Sequence, residues 1–155
     1  MKNIGIIGAR KYQDKQSVVD LVQSLPRSST IITSSCKGVC TWASETAISE
    51  GLQVRIFSPD LSGIGSRVEM VERYYQRNRE LISACQVVHA FISLEGLTGG
   101  TKYEVFYAKR LKKELFLNWE NGKIQRHFQQ QSMLLHDTEK DFGAGWLSFF
   151  SEALA

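Results

Sequence analysis

A chain of 155 residues has the size of one ordinary domain, and 43% hydrophobic with 23% charged residues excludes a disordered or fibrous protein. A net charge of +3 is too small to imply nucleic acid on its own and is compatible with an anionic small ligand. No apolar run approaches the roughly 18 residues of a membrane span, and the N-terminus lacks a signal-peptide pattern. The odd count of cysteines, Cys36, Cys40 and Cys85, then predicts free thiols in a reducing cytoplasm.

Asn3 to Gly8 (Asn-Ile-Gly-Ile-Ile-Gly) is a short apolar run closed by glycine, the pattern of a buried parallel strand. From Asp14 to Leu25, Val18, Leu21, Val22 and Leu25 recur at helical spacing, and Pro26 marks the exit. Thr30 to Thr33 reads as a second strand and Thr41 to Gly51 as a helix ending on a C-cap glycine. Leu52 to Phe57 alternates as a third strand; a loop and a long polar helix from Arg67 to Cys85 follow. Val87 to Leu94 is the most apolar strand, Tyr103 to Lys112 a helix, and Glu114 to Asn118 a fifth strand. This alternation predicts an α/β fold, a Rossmann-like three-layer sandwich around a mostly parallel sheet of five or slightly more strands, in a single domain over 1–155. The segment 119–155 carries the apolar run Trp146-Leu147-Ser148-Phe149-Phe150 and is expected to be a helical extension packed on the sheet or on a second copy.

Ligands of parallel sheets bind at the carboxyl ends of strands, where the glycine-rich turns of this chain fall. The most informative is Gly96-Leu97-Thr98-Gly99-Gly100-Thr101-Lys102-Tyr103-Glu104. A glycine turn entering a helix directs backbone N–H groups at an anion, and the helix dipole adds to their pull. Gly99, Gly100 and Thr101 are therefore candidate phosphate binders, with Thr101 also the expected N-cap. Glu104 then falls at N3, either as the capping-box partner of Thr101 or as a catalytic carboxylate. Gly8-Ala9-Arg10 offers a tight turn and a guanidinium for phosphate or carboxylate; the plain alternative is a surface arginine. Ser34, Ser35 and Gly38, after the second strand, suit a phosphate or ribose hydroxyl, or else an ordinary N-cap. Arg77 and Asn78 lie on the long helix, where charge is usually a solvated face. Cys36 and Cys40 lack a second Cys/His pair at ligand spacing, so no metal is expected. His89 reads as a core or interface residue, while His127 and His136 have no evident partners.

Gly8-Ala9-Arg10 after the first strand, Gly38-Val39 after the second, Arg77-Asn78 before the fourth and Gly99-Gly100-Thr101 after it resemble the SLOG superfamily of Rossmann-like nucleotide-binding proteins. The resemblance spans residues 3–118. That superfamily includes DNA-processing protein A and the LOG phosphoribohydrolases, which release a base from a nucleoside 5′-monophosphate. LOG enzymes carry an Arg on the helix before the strand, then P-G-G-x-G-T-x-x-E. Arg77 and Gly100-Thr101-Lys102-Tyr103-Glu104 match that pattern by position, whereas no proline opens the turn and Cys40 stands where Asp is common. The resemblance implies catalytic roles for Glu104 and Arg77, no cofactor, and a homodimer.

Function divides between two classes. As an enzyme, the protein hydrolyses the N-glycosidic bond of a nucleoside 5′-monophosphate, with phosphate on Gly99–Thr101 and Arg10. Glu104 activates water or stabilises the oxocarbenium-like ribose, Arg77 orients Glu104 or the phosphate, and Asn78 bonds a ribose hydroxyl. As a nucleotide-binding or sensing module it needs only the anion cradle, and Glu104 is a helix cap. Single-stranded DNA binding is disfavoured by the low net charge and the lack of a basic stripe interleaved with aromatics.

Overall fold

A computed structural model describes residues 2–127. The elements in order are β1 (Asn3–Gly8), α1 (Lys15–Ser24), β2 (Thr30–Ser34), α2 (Val39–Ser49), β3 (Gln53–Phe57), α3 (Arg67–Ala84), β4 (Val87–Ile92), α4 (Gly99–Arg110), β5 (Glu114–Trp119) and β6 (Ile124–His127). The strands form one sheet in the order β3-β2-β1-β4-β5-β6, all parallel except β6, which runs antiparallel to β5. The α/β, Rossmann-like three-layer architecture expected from the alternation is present.

β1 and β4 are neighbours in the middle of the sheet and are covered on both faces, which is why each is a continuous apolar run. Side-chain alternation splits the core in two. Ile4, Ile6, Ile31 and Phe91 meet Val18 and Val22 of α1 and Val39, Ala43 and Ala47 of α2. Ile7, Ile32, Val88, Ala90 and Ile92 meet Leu81 and Ile82 of α3 and Val105 and Ala108 of α4. The chain thus changes face between α2 and α3, and the strand order reverses between β1 and β4. The crevice at their carboxyl ends is the natural ligand position of such a sheet.

His89 is buried in β4 and stacks on Phe116, with 4.8 Å between ring centroids. Burial lowers its pKa from 6.5 to about 4, against the pull of Glu114. The unfolded chain therefore binds the proton more tightly. This neutral histidine contributes stability that is complete above pH 6.5 and lost as pH falls towards 4. His89→Gln should remove an acid destabilisation of about 3 kcal/mol, measured from denaturant midpoints across that range.

The expected helical extension is not helical at its start. Trp119 closes β5, a turn follows, and β6 returns alongside; Trp119 N–H donates to the Lys123 carbonyl at 2.8 Å. The overlooked signal is Asn121-Gly122, a hairpin dipeptide whose glycine takes φ +91°. The apolar run 146–150 and His136 lie outside the described residues. Among the described residues no helix is long and apolar enough to cross a membrane.

Candidate functional site

Because β1 lies between β2 and β4, the turns after these three strands are adjacent along one edge of the sheet. Ala9 N–H donates to the Phe91 carbonyl at 3.2 Å, tying the first turn to the end of β4. Gly38, the N-cap of α2 at φ +86°, packs against the Arg10 backbone. Gly8 serves packing: a Cβ there would stand 2.7 Å from a Val39 methyl, so glycine lets the first turn of α2 close onto β1. Gly8→Ala should cost about 1–3 kcal/mol. Combined with Val39→Ala in urea unfolding, it should be less damaging than the sum of the two single changes.

α4 starts at Gly99, four residues before the expected Tyr103, with Thr98 as N-cap. Thr101 is therefore N3, and Glu104 lies well inside the helix. The Thr101–Glu104 capping box does not form. A reciprocal cap of that kind occurs on α3 instead, where Ser66 Oγ accepts from Glu69 N–H at 3.2 Å and Glu69 accepts from Gly65 N–H at 2.8 Å. α1 is capped by Asp14, which accepts from Ser17 N–H. α2 and α4 have no side-chain N-cap bond, and these are the helices that open on the predicted glycine turns. Their first-turn N–H groups are left to water or to an anion. Gly99 takes φ +59°, a conformation that favours glycine at this position.

Ser34 is buried and builds its turn rather than capping α2. Its hydroxyl donates to Cys40 Sγ and accepts from Cys36 N–H, both at 3.2 Å. Ser35 is exposed and accepts from Ser58 Oγ. Gly100 and Thr101 form the first turn of α4, with Thr101 buried.

Arg77 and Asn78 are buried, so this stretch of α3 is not a solvated face. Arg77 Nε donates to Asn78 Oδ1 at 2.8 Å, Nη1 to the Phe57 carbonyl at 3.5 Å, and Nη2 lies 3.7 Å from Cys36 Sγ. The guanidinium also sits 5.5 Å over the Tyr74 ring. It is thus fixed between the turn after β2, the end of β3 and its own helix. Tyr75 of the same helix is buried against Tyr103 of α4.

Glu104 is 9% exposed, and its carboxylate accepts no hydrogen bond from the described residues. Burial pushes its pKa up from 4.5 to about 7, with Arg77 pulling it back. A carboxyl that titrates near neutrality beside a fixed guanidinium has the properties of a general acid or base. Arg10, by contrast, is exposed and makes no hydrogen bond or ion pair among the described residues.

Two contributors escaped sequence reasoning. Cys36 supplies a contact to Arg77, although its C-x3-C spacing points only to metal or packing. Glu120 accepts from Gln13 N–H at 2.6 Å and from Leu94 N–H at 3.1 Å, stapling the turn after β1 to the turn after β4. Its position directly after β5, at the carboxyl edge, was the available signal. No protein-family model matches the chain, and no curated protein matches it.

Proposed function

We propose that the protein binds a nucleoside 5′-monophosphate or a close derivative at the carboxyl edge of the sheet and hydrolyses its N-glycosidic bond. Glu104 carries this reading: it is buried, unbonded, titrates near neutrality and lies in the field of Arg77. A helix cap has none of these properties. The phosphate would rest on the first-turn N–H groups of α4, Gly99 to Thr101, with the α2 N-terminus and Arg10 alongside. Ionised Glu104 would take a proton from water as its oxygen bonds to the anomeric carbon. The C–N bond breaks with its electron pair going to the base, which takes up a proton from solvent as it leaves. Arg77 would hold the carboxylate, and Asn78 would bond a ribose hydroxyl. The resemblance to SLOG proteins supports the same ligand class, and the free thiols fit a reducing cytoplasm.

The second reading, a nucleotide sensor, rests on the uncapped N-termini of α2 and α4, which need no chemistry from Glu104. Incubation with a panel of nucleoside mono-, di- and triphosphates, with free base followed by chromatography, separates the two. Hydrolysis predicts base from a monophosphate at a rate that rises with pH through about 7 as Glu104 ionises. A thermal shift with no free base favours the sensor.

A further inference from the structure

Of the three cysteines only Cys36 is partly exposed, whereas Cys40 and Cys85 are buried. Cys36 lies in the turn between β2 and α2, and Cys40 follows it in the first turn of that helix. Hydrogen bonds at both ends of the Cys36 residue hold the two together. Its N–H donates to Ser34 Oγ at 3.2 Å, and the same hydroxyl donates to Cys40 Sγ at 3.2 Å. Its carbonyl accepts from Thr41 Oγ1 at 2.9 Å. Gly38, at φ +86°, turns the chain between the two cysteines. Residues 36–41 thus fold into one turn whose two sulfur-bearing residues share Ser34. On its other side Cys36 Sγ accepts from Arg77 Nη2 at 3.7 Å. The guanidinium is placed to meet the negative charge that a sulfur carries as it attacks.

We propose that Cys36 and Cys40 are a peroxide-responsive thiol pair that closes to a reversible disulfide across the turn opening α2. The Cys36 sulfur attacks hydrogen peroxide, the O–O bond breaks, and a Cys36 sulfenic acid and one water result. The Cys40 sulfur then attacks the Cys36 sulfur. The S–O bond breaks, and the departing hydroxide takes the Cys40 proton to leave as a second water. Two electrons pass from the thiol pair to one peroxide, and a thiol reductant returns them by exchange. The order of attack follows from exposure. Burial pushes the Cys40 thiol up and keeps it protonated, so peroxide meets Cys36 first and Cys40 is left to attack its neighbour in the turn. Cys85 takes no part: it is 1% exposed, its Sγ donates to the Leu81 carbonyl at 3.1 Å, and burial pushes its thiol up to about 12. Closing the disulfide takes from Arg77 the thiol it contacts and so ties oxidation to the proposed site. That consequence rests on the nucleotide reading, whereas the thiol chemistry does not.

The test treats the reduced full chain with hydrogen peroxide, with no nucleotide present, then alkylates the remaining thiols and reads intact mass and peptide maps. Wild type should lose two of its three alkylatable thiols together, yield a cross-link between Cys36 and Cys40, and keep Cys85. Dithiothreitol should restore all three. Cys40→Ser should stop at the Cys36 sulfenic acid, trapped by dimedone, and Cys36→Ser should leave Cys40 unoxidised. The proposal is overturned if all three wild-type thiols survive peroxide, or if Cys36 gains oxygen without a cross-link. Oxidation of Cys85 as fast as Cys36, or loss of the Cys40 thiol in Cys36→Ser, overturns it equally.

Discussion

Glu104→Gln should abolish base release while nucleotide affinity stays within a few-fold of wild type. Gln keeps the volume and polarity of the side chain but cannot accept a proton from water, and a positioned general base is worth about 10²–10⁴-fold in rate. The same substitution has a stability signature that needs no substrate. The folded-state pKa of Glu104, about 7, lies above the ordinary 4.5, so the folded protein binds this proton more tightly than the unfolded chain. Wild type therefore has the full benefit below pH 4.5 and loses about 3 kcal/mol as pH rises to 7. Gln carries no such slope. Relative to wild type, the variant should gain that amount between about pH 4 and about pH 8, measured by denaturant unfolding. His89 acts with the opposite sign over nearly the same window, so the two slopes largely cancel in wild type and each single replacement reveals the other. A variant with unchanged turnover, or one whose stability tracks wild type at every pH, removes Glu104 from its assigned role.

Arg77→Met should lower turnover at neutral pH by about 10²-fold and move the ascending limb of the pH–rate profile upward. The guanidinium is the one charge that pulls the Glu104 pKa down, and without it burial acts alone. The change also deletes the donors to Asn78 Oδ1 and the Phe57 carbonyl and the contact with Cys36, which join α3 to the ends of β2 and β3. Leaving these buried acceptors without their donor costs about 1–3 kcal/mol, so a lower unfolding midpoint is expected too. Arg77→Lys separates the effects. Its charge should bring the pH limb back towards wild type, while the lost planar fork should leave the rate low. A Met variant with an unmoved pH limb would show that Arg77 only braces the fold.

The layered fold was legible because the central strands are buried on both faces and cannot hide their apolar runs. Ile4 to Ile7 and Val87 to Ile92 report their place in the sheet directly. Arg77, Asn78, Thr101 and Glu104 stand out in the sequence by position and by the resemblance, but their burial does not. Thr-x-x-Glu at a helix start matches a cap equally well, and only the N-cap at Thr98 in the fold moves the helix start back and puts Glu104 inside. Burial of Arg77 depends on how α3 lies over β2 and β3, a tertiary fact absent from a run of charged residues. Ser34 and Gly8 look like ligand contacts in sequence because glycine and serine serve turns and phosphates alike. In the fold they serve Cys36, Cys40 and Val39. Glu120 and β6 were missed because the chain after Asn118 was assigned to a helix on its apolar content, against the Asn121-Gly122 turn.

The most direct test is a titration of isotope-labelled protein with a nucleoside 5′-monophosphate and, in parallel, with the corresponding nucleoside, following backbone amide resonances. The monophosphate should shift Gly99, Gly100 and Thr101 together with Cys36 to Val39, and the nucleoside should shift them far less, since the uncapped N–H groups of α4 and α2 hold the phosphate. Shifts confined to other surfaces, or equal responses to the two ligands, would contradict a phosphate cradle at this edge of the sheet.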